Sequence, residues 1–119
     1  MIKLTFALVR LPHLSREAFQ QYWFEKHAPL VASVKDTLSI RRYVQLHSLP
    51  AELSEPLRTA RAGPEGYDGV AQLWWDSFED MATRDPAADE AGRLLLEDER
   101  KFIDLPKSPL WWGEEKVIF

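Results

Sequence analysis

The chain has 119 residues, which suits one domain around one core, and residues 1–119 are read here as that domain. A net charge of −4 with no basic run leaves no electrostatic footprint for a phosphate backbone, so nucleic acid is not expected as a partner. Cysteine is absent, which excludes disulfides, thiolate nucleophiles and thiolate metal sites.

Residues 2–10 alternate as a strand that is largely apolar on both faces, with Leu4, Phe6 and Leu8 opposing Thr5, Ala7 and Val9. This start has neither a signal-peptide hydrophobic region nor an apolar run of about 18 residues, so a cytoplasmic protein without membrane association is expected. Pro12 ends the strand. Ser15 can then cap a helix with Glu17 in its first turn, and the helix reaches about Asp36. Phe19, Trp23, His27 and Val31 share one face of it, with Leu30 and Val34 beside them, and that face should point at a core or cavity. Pro29 has no N–H for the carbonyl of Glu25, so the helix should kink or restart around Ala28.

From Leu38 to His47 the period returns to two. Leu38, Ile40, Val44 and Leu46 fall on one face, with Arg42 as the exception, and Ser39, Arg41, Tyr43, Gln45 and His47 on the other. Residues 48–67 carry Pro50, Pro56, Gly63, Pro64 and Gly66 and read as a long loop with one helical turn near Leu53 to Arg61. Asp68 to Trp75 is a third strand, and Ser77 with Asp80 resembles a capping box for the next helix. Asp85-Pro86 starts a further helix whose Ala91, Leu95 and Phe102 keep helical spacing, while Glu97-Asp98-Glu99 reads as a solvated face. Pro106 and Pro109 close it, and Trp111 to Phe119 supplies a last strand.

The order strand, helix, strand, strand, helix, strand is the ferredoxin-like β-α-β-β-α-β plan of the α+β class, with two helices on one face of a four-stranded antiparallel sheet. Alternation assigns Tyr43, Gln45, His47, Val70, Gln72 and Trp74 to the other face. That set is too aromatic for solvent and too polar for a dry core, which fits a cavity between two copies of the sheet and hence a homodimer.

The chain resembles the EthD-domain family of the dimeric α+β barrel superfamily over nearly its whole length. The resemblance rests on Arg10, Phe19, Tyr22-Trp23 with His27-Ala28-Pro29-Leu30-Val31, then Arg42 to His47, then Asp68-Gly69-Val70-Ala71-Gln72-Leu73-Trp74-Trp75-Asp76-Ser77. It implies a homodimer built around a barrel, a pocket for a small hydrophobic or aromatic ligand in each subunit, and no metal or organic cofactor. It also implies a role in ether or aromatic-compound degradation, muconolactone isomerisation, or decarboxylation or dehydration of aromatic polyketides. The family histidine falls on His27 and its second polar cluster on Tyr43, Gln45 and His47. This chain departs from many relatives in carrying Gln72 in place of Glu and Leu46 in place of a polar residue, so no carboxylate base stands at position 72.

Each candidate has a bland reading beside the functional one. His27 suits a general acid or base open to the cavity, or is a half-buried histidine satisfying a freed carbonyl. His47 ends a strand beside the long loop, where ligand groups and plain surface groups both occur, and His13 is expected to be exposed. Asp68 could orient a histidine or merely serve the turn before Gly69. Tyr43 and Gln45, with Gln72, could hydrogen-bond a ligand or satisfy each other across the dimer. Trp23, Trp74 and Trp75 could stack on an aromatic substrate or fill the core, Trp74 being the preferred stacker. Arg10, and Arg41 or Arg42, could receive a carboxylate or pair with the abundant acids. The three histidines make no local metal motif.

Three functions follow. The first is a cofactor-free enzyme moving protons on a small aromatic, lactone or polyketide-like compound. The second is a non-catalytic binding protein of a degradation pathway, and the third a haem-binding barrel with His27 or His47 as axial ligand.

Overall fold

The computed structural model describes residues 1–83 and 85–119. The apolar alternating segments become four antiparallel strands: β1 (Ile2–Leu8), β2 (Arg42–His47), β3 (Gly69–Trp75) and β4 (Leu110–Gly113). Their order across the sheet is β2-β3-β1-β4, so both central strands are the most hydrophobic ones and the ferredoxin-like plan holds. Register sets the faces, because residues directly opposite one another project to the same side.

Helix α1 (Arg16–Tyr22) begins where Ser15 Oγ accepts the Ala18 N–H at 3.0 Å. The expected kink takes the form of a π-helical turn, Trp23–His27, before α2 (Ala28–Ser33). Pro29 has no N–H to offer, and the Ala28 N–H reaches five residues back to the Trp23 carbonyl. The stripe survives this change of pitch: Phe19, Trp23, His27 and Val31 are all buried. The helix ends sooner than expected. Ser39 lies at φ 59°, a left-handed turn, and β2 starts only at Arg42; Ile40 and Tyr43 both pack on the helix-covered side, so the alternation slips between them.

The long loop carries α3 (Glu55–Ala60), which buries no residue. Ser77 Oγ accepts the Asp80 N–H ahead of α4 (Phe78–Ala82), and Asp85 Oδ1 accepts the Ala88 N–H at 2.7 Å ahead of α5 (Pro86–Glu99). On α5 the buried stripe runs Ala88, Ala91, Asp98 and on to Phe102. Asp98 therefore belongs to the interior, not to a solvated face.

One core packs Phe19, Trp23 and Phe102 on Phe6, Leu8 and Ala71; the other packs Val31, Ile40 and Trp75 with Leu4, Leu73 and Trp112. Both lie on the helix-covered side. Across the sheet, Tyr43 opposes Leu73, Gln45 opposes Ala71 and His47 opposes Gly69, so this polar trio faces the helices. Its expected place on the uncovered face is corrected, because β2 carries its outward residues at Arg42, Val44 and Leu46. That uncovered face holds Lys3, Thr5, Arg42, Val44, Leu46, Val70, Gln72, Trp74 and Trp111, none of which joins either core.

Candidate functional site

Between α1, the π-helical turn and edge strand β2 lies an open cleft of about 600 Å³, lined by Gln20, Gln21, Phe24, Glu25, Ala28, Tyr43, Gln45 and His47. The helix presents amides and an exposed phenyl ring; the strand presents a phenol, an amide and an imidazole at alternate positions. Trp23 stands behind them. Its ring stacks on His47 with centroids 4.6 Å apart, and Phe24 meets the same imidazole edge-on at 6.0 Å. A tryptophan can lie this close to the sheet because position 69 is glycine: a Cβ there would overlap the Trp23 ring and come within 2.9 Å of the Leu46 carbonyl oxygen. The Asp-Gly pair thus serves packing as well as chain direction.

Gln45 fixes the proton positions of its neighbours. Its amide nitrogen donates to Tyr43 Oη at 2.8 Å and to the Trp23 carbonyl at 3.0 Å, the same carbonyl that closes the π-helical turn. Its oxygen is therefore left to accept, and His47 Nε2 donates to it at 2.7 Å. Burial pushes the His47 pKa below its ordinary value, so the ring is neutral at pH 7 with its lone pair on Nδ1. Burial likewise pushes the Tyr43 phenol up, against the opposing hydrogen bonds of Gln45 and Trp23. Tyr43 keeps its proton and, having accepted from Gln45, has that proton to give. Strand β2 thus carries a base and a donor four residues apart on one face, with a glutamine between them that sets both.

His27 sits elsewhere. It is 5% exposed, packs on Phe102 at 5.1 Å between ring centroids, and does not line the cleft, although its neighbour Ala28 does. Its Nδ1 stands 2.8 Å from Asp98 Oδ2, while Asp98 Oδ1 accepts the Tyr22 hydroxyl at 2.6 Å and has Lys101 Nζ at 3.5 Å. Burial would raise the Asp98 pKa, but Tyr22, His27 and Lys101 together hold it below the usual carboxylate range. Asp98 is consequently ionised and the imidazole donates through Nδ1. Burial lowers the His27 pKa more than Asp98 raises it, leaving a neutral ring. Burial and the Asp98 charge push Tyr22 up to about 12. Sequence reasoning missed Asp98. The signal was its place on the stripe through Ala88, Ala91, Leu95 and Phe102, where a carboxylate needs a buried partner.

Of the two readings of Asp68, orienting a histidine or serving the turn before Gly69, the first is not what its contacts show: its carboxylate pairs with Arg10. That carboxylate accepts the Arg10 backbone N–H at 2.9 Å and pairs with the Arg10 guanidinium, whose Nε donates to the Leu14 carbonyl. Arg10 and Asp68 thereby tie the loop before α1 to the start of β3; neither lines the cleft, although the Asp68 carbonyl accepts from Gln20, which does, at 3.1 Å. Arg41 pairs with Asp76, and His13 is exposed as expected. Trp23 and Trp75 are core residues. Gln72 and Trp74 lie on the uncovered sheet face, and a cation from each flanking strand lies over the Trp74 indole, Lys3 at 4.8 Å and Arg42 at 4.6 Å from the ring centroid. Among the described residues no group of three His, Asp or Glu side chains is placed to hold a metal ion.

A family model described as EthD domain matches residues 11–106. The chain belongs to the EthD-domain family. Within that family it is 29% identical over 120 residues to a protein of Metarhizium robertsii named conidial pigment biosynthesis dehydratase EthD, covering 95% of this chain and 81% of that one. Among solved structures, an EthD family protein from Bacillus halodurans superposes with a TM-score of 0.62 at 21% identity, covering 98% of this chain and 100% of that one. A dimeric protein of unknown function and ferredoxin-like fold from Bacteroides fragilis gives 0.58 at 11% identity, covering 96% and 95%. The EthD match spans both sides of the cleft, from the loop before α1 to the segment after α5. No helix among the described residues is long and apolar enough to cross a membrane.

Proposed function

We propose that this EthD-domain protein is a cofactor-free enzyme that moves protons on a small aromatic or lactone-like carbonyl compound bound in the cleft, with loss of water as the foremost reaction. The observation that carries this is the Tyr43-Gln45-His47 series, a neutral imidazole and a protonated phenol directed by one amide along a partly apolar cleft. The dehydratase name of the Metarhizium relative supports the reaction class. In the step proposed, His47 Nδ1 takes the proton from a carbon beside the carbonyl while Tyr43 donates to the carbonyl oxygen. The electron pair becomes a C=C bond as the neighbouring C–O bond breaks, and the departing hydroxide leaves as water with the proton returned by His47. Phe24 would lie against the ring of such a substrate. His27 with Asp98 is then part of the frame that holds the π-helical turn, and Trp23, Gln20 and Gln21 complete the cleft.

The same reading includes a homodimer, because the uncovered sheet face exposes Leu46 and Trp111 beside Val44 and Val70, a surface that a second copy would bury on both molecules. The Bacteroides neighbour, described as dimeric, supports it.

The test is turnover of β-hydroxy ketones and lactones that gain conjugation on losing water, followed by absorbance, in parallel with binding by calorimetry. His47→Gln and Tyr43→Phe should each lower turnover about 10²–10⁴-fold, the usual share of a positioned acid or base. Undiminished turnover in both variants would overturn the assignment. Binding of such compounds with no turnover in the unaltered protein would make it a binding protein of a degradation pathway.

A further inference from the structure

The cleft holds a polar atom that the proposed reaction leaves unused, the side-chain oxygen of Gln20. Gln20 lies on α1 one helical turn before Phe24, and both residues line the cleft. Its amide faces two main-chain carbonyls where the ends of the long loop meet: Nε2 donates to the Ser48 carbonyl at 2.9 Å and to the Asp68 carbonyl at 3.1 Å. A carbonyl oxygen only accepts, so the amide nitrogen must be the atom turned to this pair, and both of its hydrogens are engaged there. The other end of the amide is thereby fixed as an acceptor. Among the described residues no buried side-chain oxygen lacks a hydrogen-bond partner, whereas Gln20 Oε1 has none in the chain. It is consequently open, and the open space beside Gln20 is the cleft.

The rest of the lining is weighted the same way. Gln45 has both hydrogens engaged, on Tyr43 and the Trp23 carbonyl, and its oxygen engaged by His47. His47 keeps Nδ1 as an acceptor, and Gln21 turns its amide nitrogen to the Glu25 carboxylate at 3.3 Å, which leaves the Gln21 oxygen and that carboxylate as further acceptors. Against these stand the Tyr43 hydroxyl hydrogen and one amide hydrogen of Gln21. The described lining contains no lysine or arginine, and Glu25 is its one carboxylate.

We propose that Gln20 is a specificity-determining residue of the cleft, its Oε1 accepting the hydrogen of a ligand hydroxyl other than the one lost in the reaction, so that the cleft takes neutral aromatic ketones with a free phenolic hydroxyl in preference to their ethers and to aromatic acids. This rests on the cleft being the ligand site of the enzyme proposed above. A ring lying on Phe24 has Gln20 one helical turn away, while the carbonyl of the same molecule meets Tyr43. Methylating the hydroxyl removes its hydrogen and leaves Gln20 Oε1 covered without a donor. A carboxylate on the ring would meet Glu25 with no lysine or arginine in the lining to receive it.

The probes are meta- and para-hydroxyacetophenone, their methyl ethers and the matching hydroxybenzoates, none of which can lose water, with binding read by calorimetry at neutral pH. At least one hydroxyketone should bind about fivefold more tightly than its ether, the share of one neutral hydrogen bond, and more tightly than its benzoate. In Gln20→Met, which keeps the length of the side chain and removes the acceptor, hydroxyketone and ether should bind alike. Because Gln20 also holds the loop ends, a second readout uses the unaltered chain: the carbon-13 resonance of the Gln20 side-chain carbonyl should move on titration with the hydroxyketone and stay in place with the ether. The proposal is overturned by a hydroxyl preference undiminished in Gln20→Met, by no such preference in the unaltered protein, by an ether that moves the Gln20 resonance equally, or by a benzoate bound as tightly as its ketone. The reaction is judged separately. Hydroxyl preference at Gln20 without turnover of any β-hydroxy ketone keeps this assignment and removes the reaction, whereas turnover that falls in His47→Gln alongside hydroxyl-blind binding does the reverse.

Discussion

The chain places His27 in the interior and His47 on the cleft, and the function proposed above gives them opposite roles. His27 donates to an ionised Asp98 inside the helix layer, so His27→Gln should cost about 1–3 kcal/mol of stability by leaving that carboxylate short of a partner, while ligand affinity in the cleft changes little. His47→Gln should do the reverse. Urea midpoints and calorimetry on the same two variants decide it, and loss of turnover with unchanged stability in His27→Gln would return the catalytic role to His27. Titration follows from the same placements. The folded pKa of His27 lies below 6.5, so the unfolded chain takes up the extra proton first as pH falls, and stability drains away from about pH 6.5 downward. Glu99 acts in the opposite sense. Burial, with the neighbouring Asp98 charge, pushes its carboxyl from 4.5 to about 7, so the folded state holds a proton that the unfolded one has lost, and stability falls as pH rises through that window. Glu99→Gln should therefore stabilise the protein above pH 7, on the order of 1 kcal/mol, and change nothing below pH 4.5. A pH series of urea midpoints reads both trends.

At the scale of elements, the decisive contact is the approach of the π-helical turn to β2 and β3. Gly69→Ala should cost about 1–3 kcal/mol, because the added methyl must push the Trp23 ring away from the sheet. It should also weaken the His47 stack, visible as altered near-ultraviolet dichroism of the tryptophans. Much of this architecture was legible in the residues: strand alternation, the Ser15 and Ser77 caps, Pro29 as the place where the helix changes pitch, and the stripe through Trp23 and His27. Other parts were hidden for physical reasons. The alternation slips between Ile40 and Tyr43, which both pack on the helix-covered side, and period-two counting across that slip assigns the polar trio to the wrong face. Asp98 was hidden by its neighbours, since Glu97 and Glu99 make the sequence around it look solvated although only Asp98 lies on the buried stripe. His47 could be placed on a strand end but not beside Trp23, because that contact is made in space by Gly69, a residue distant in sequence.

For the whole molecule, the sheet divides the protein into a packed half and an unpacked half. The expected homodimer would bury the second half, and sedimentation at micromolar concentration should then detect no monomer. Trp111→Glu or Leu46→Asp should shift the equilibrium toward monomer, since either places a charge among apolar groups on both copies at once. A protein that sediments as a monomer would leave the uncovered face without a partner and refute the dimer. The long loop has a related role. With α3 burying nothing and Leu49, Leu53 and Leu57 exposed, the segment after β2 contributes little to either core, so shortening it should lower stability far less than Gly69→Ala does. Thermal melts of the two variants compare them directly.

The stack of Trp23 on His47 bears on how this scaffold can acquire new specificities. The indole is at once a wall of the core and the backing of the cleft, so any substitution that reshapes the cleft from behind is filtered by stability before it can be judged on substrate. Phe24, Gln21 and Glu25 carry no such double duty: they stand on the solvent side of the same helix and line the same cleft. Adaptive variation, whether natural or in a laboratory library, is therefore channelled to one bank of the cleft. On that bank residues can be exchanged freely, while the opposite bank stays nearly fixed.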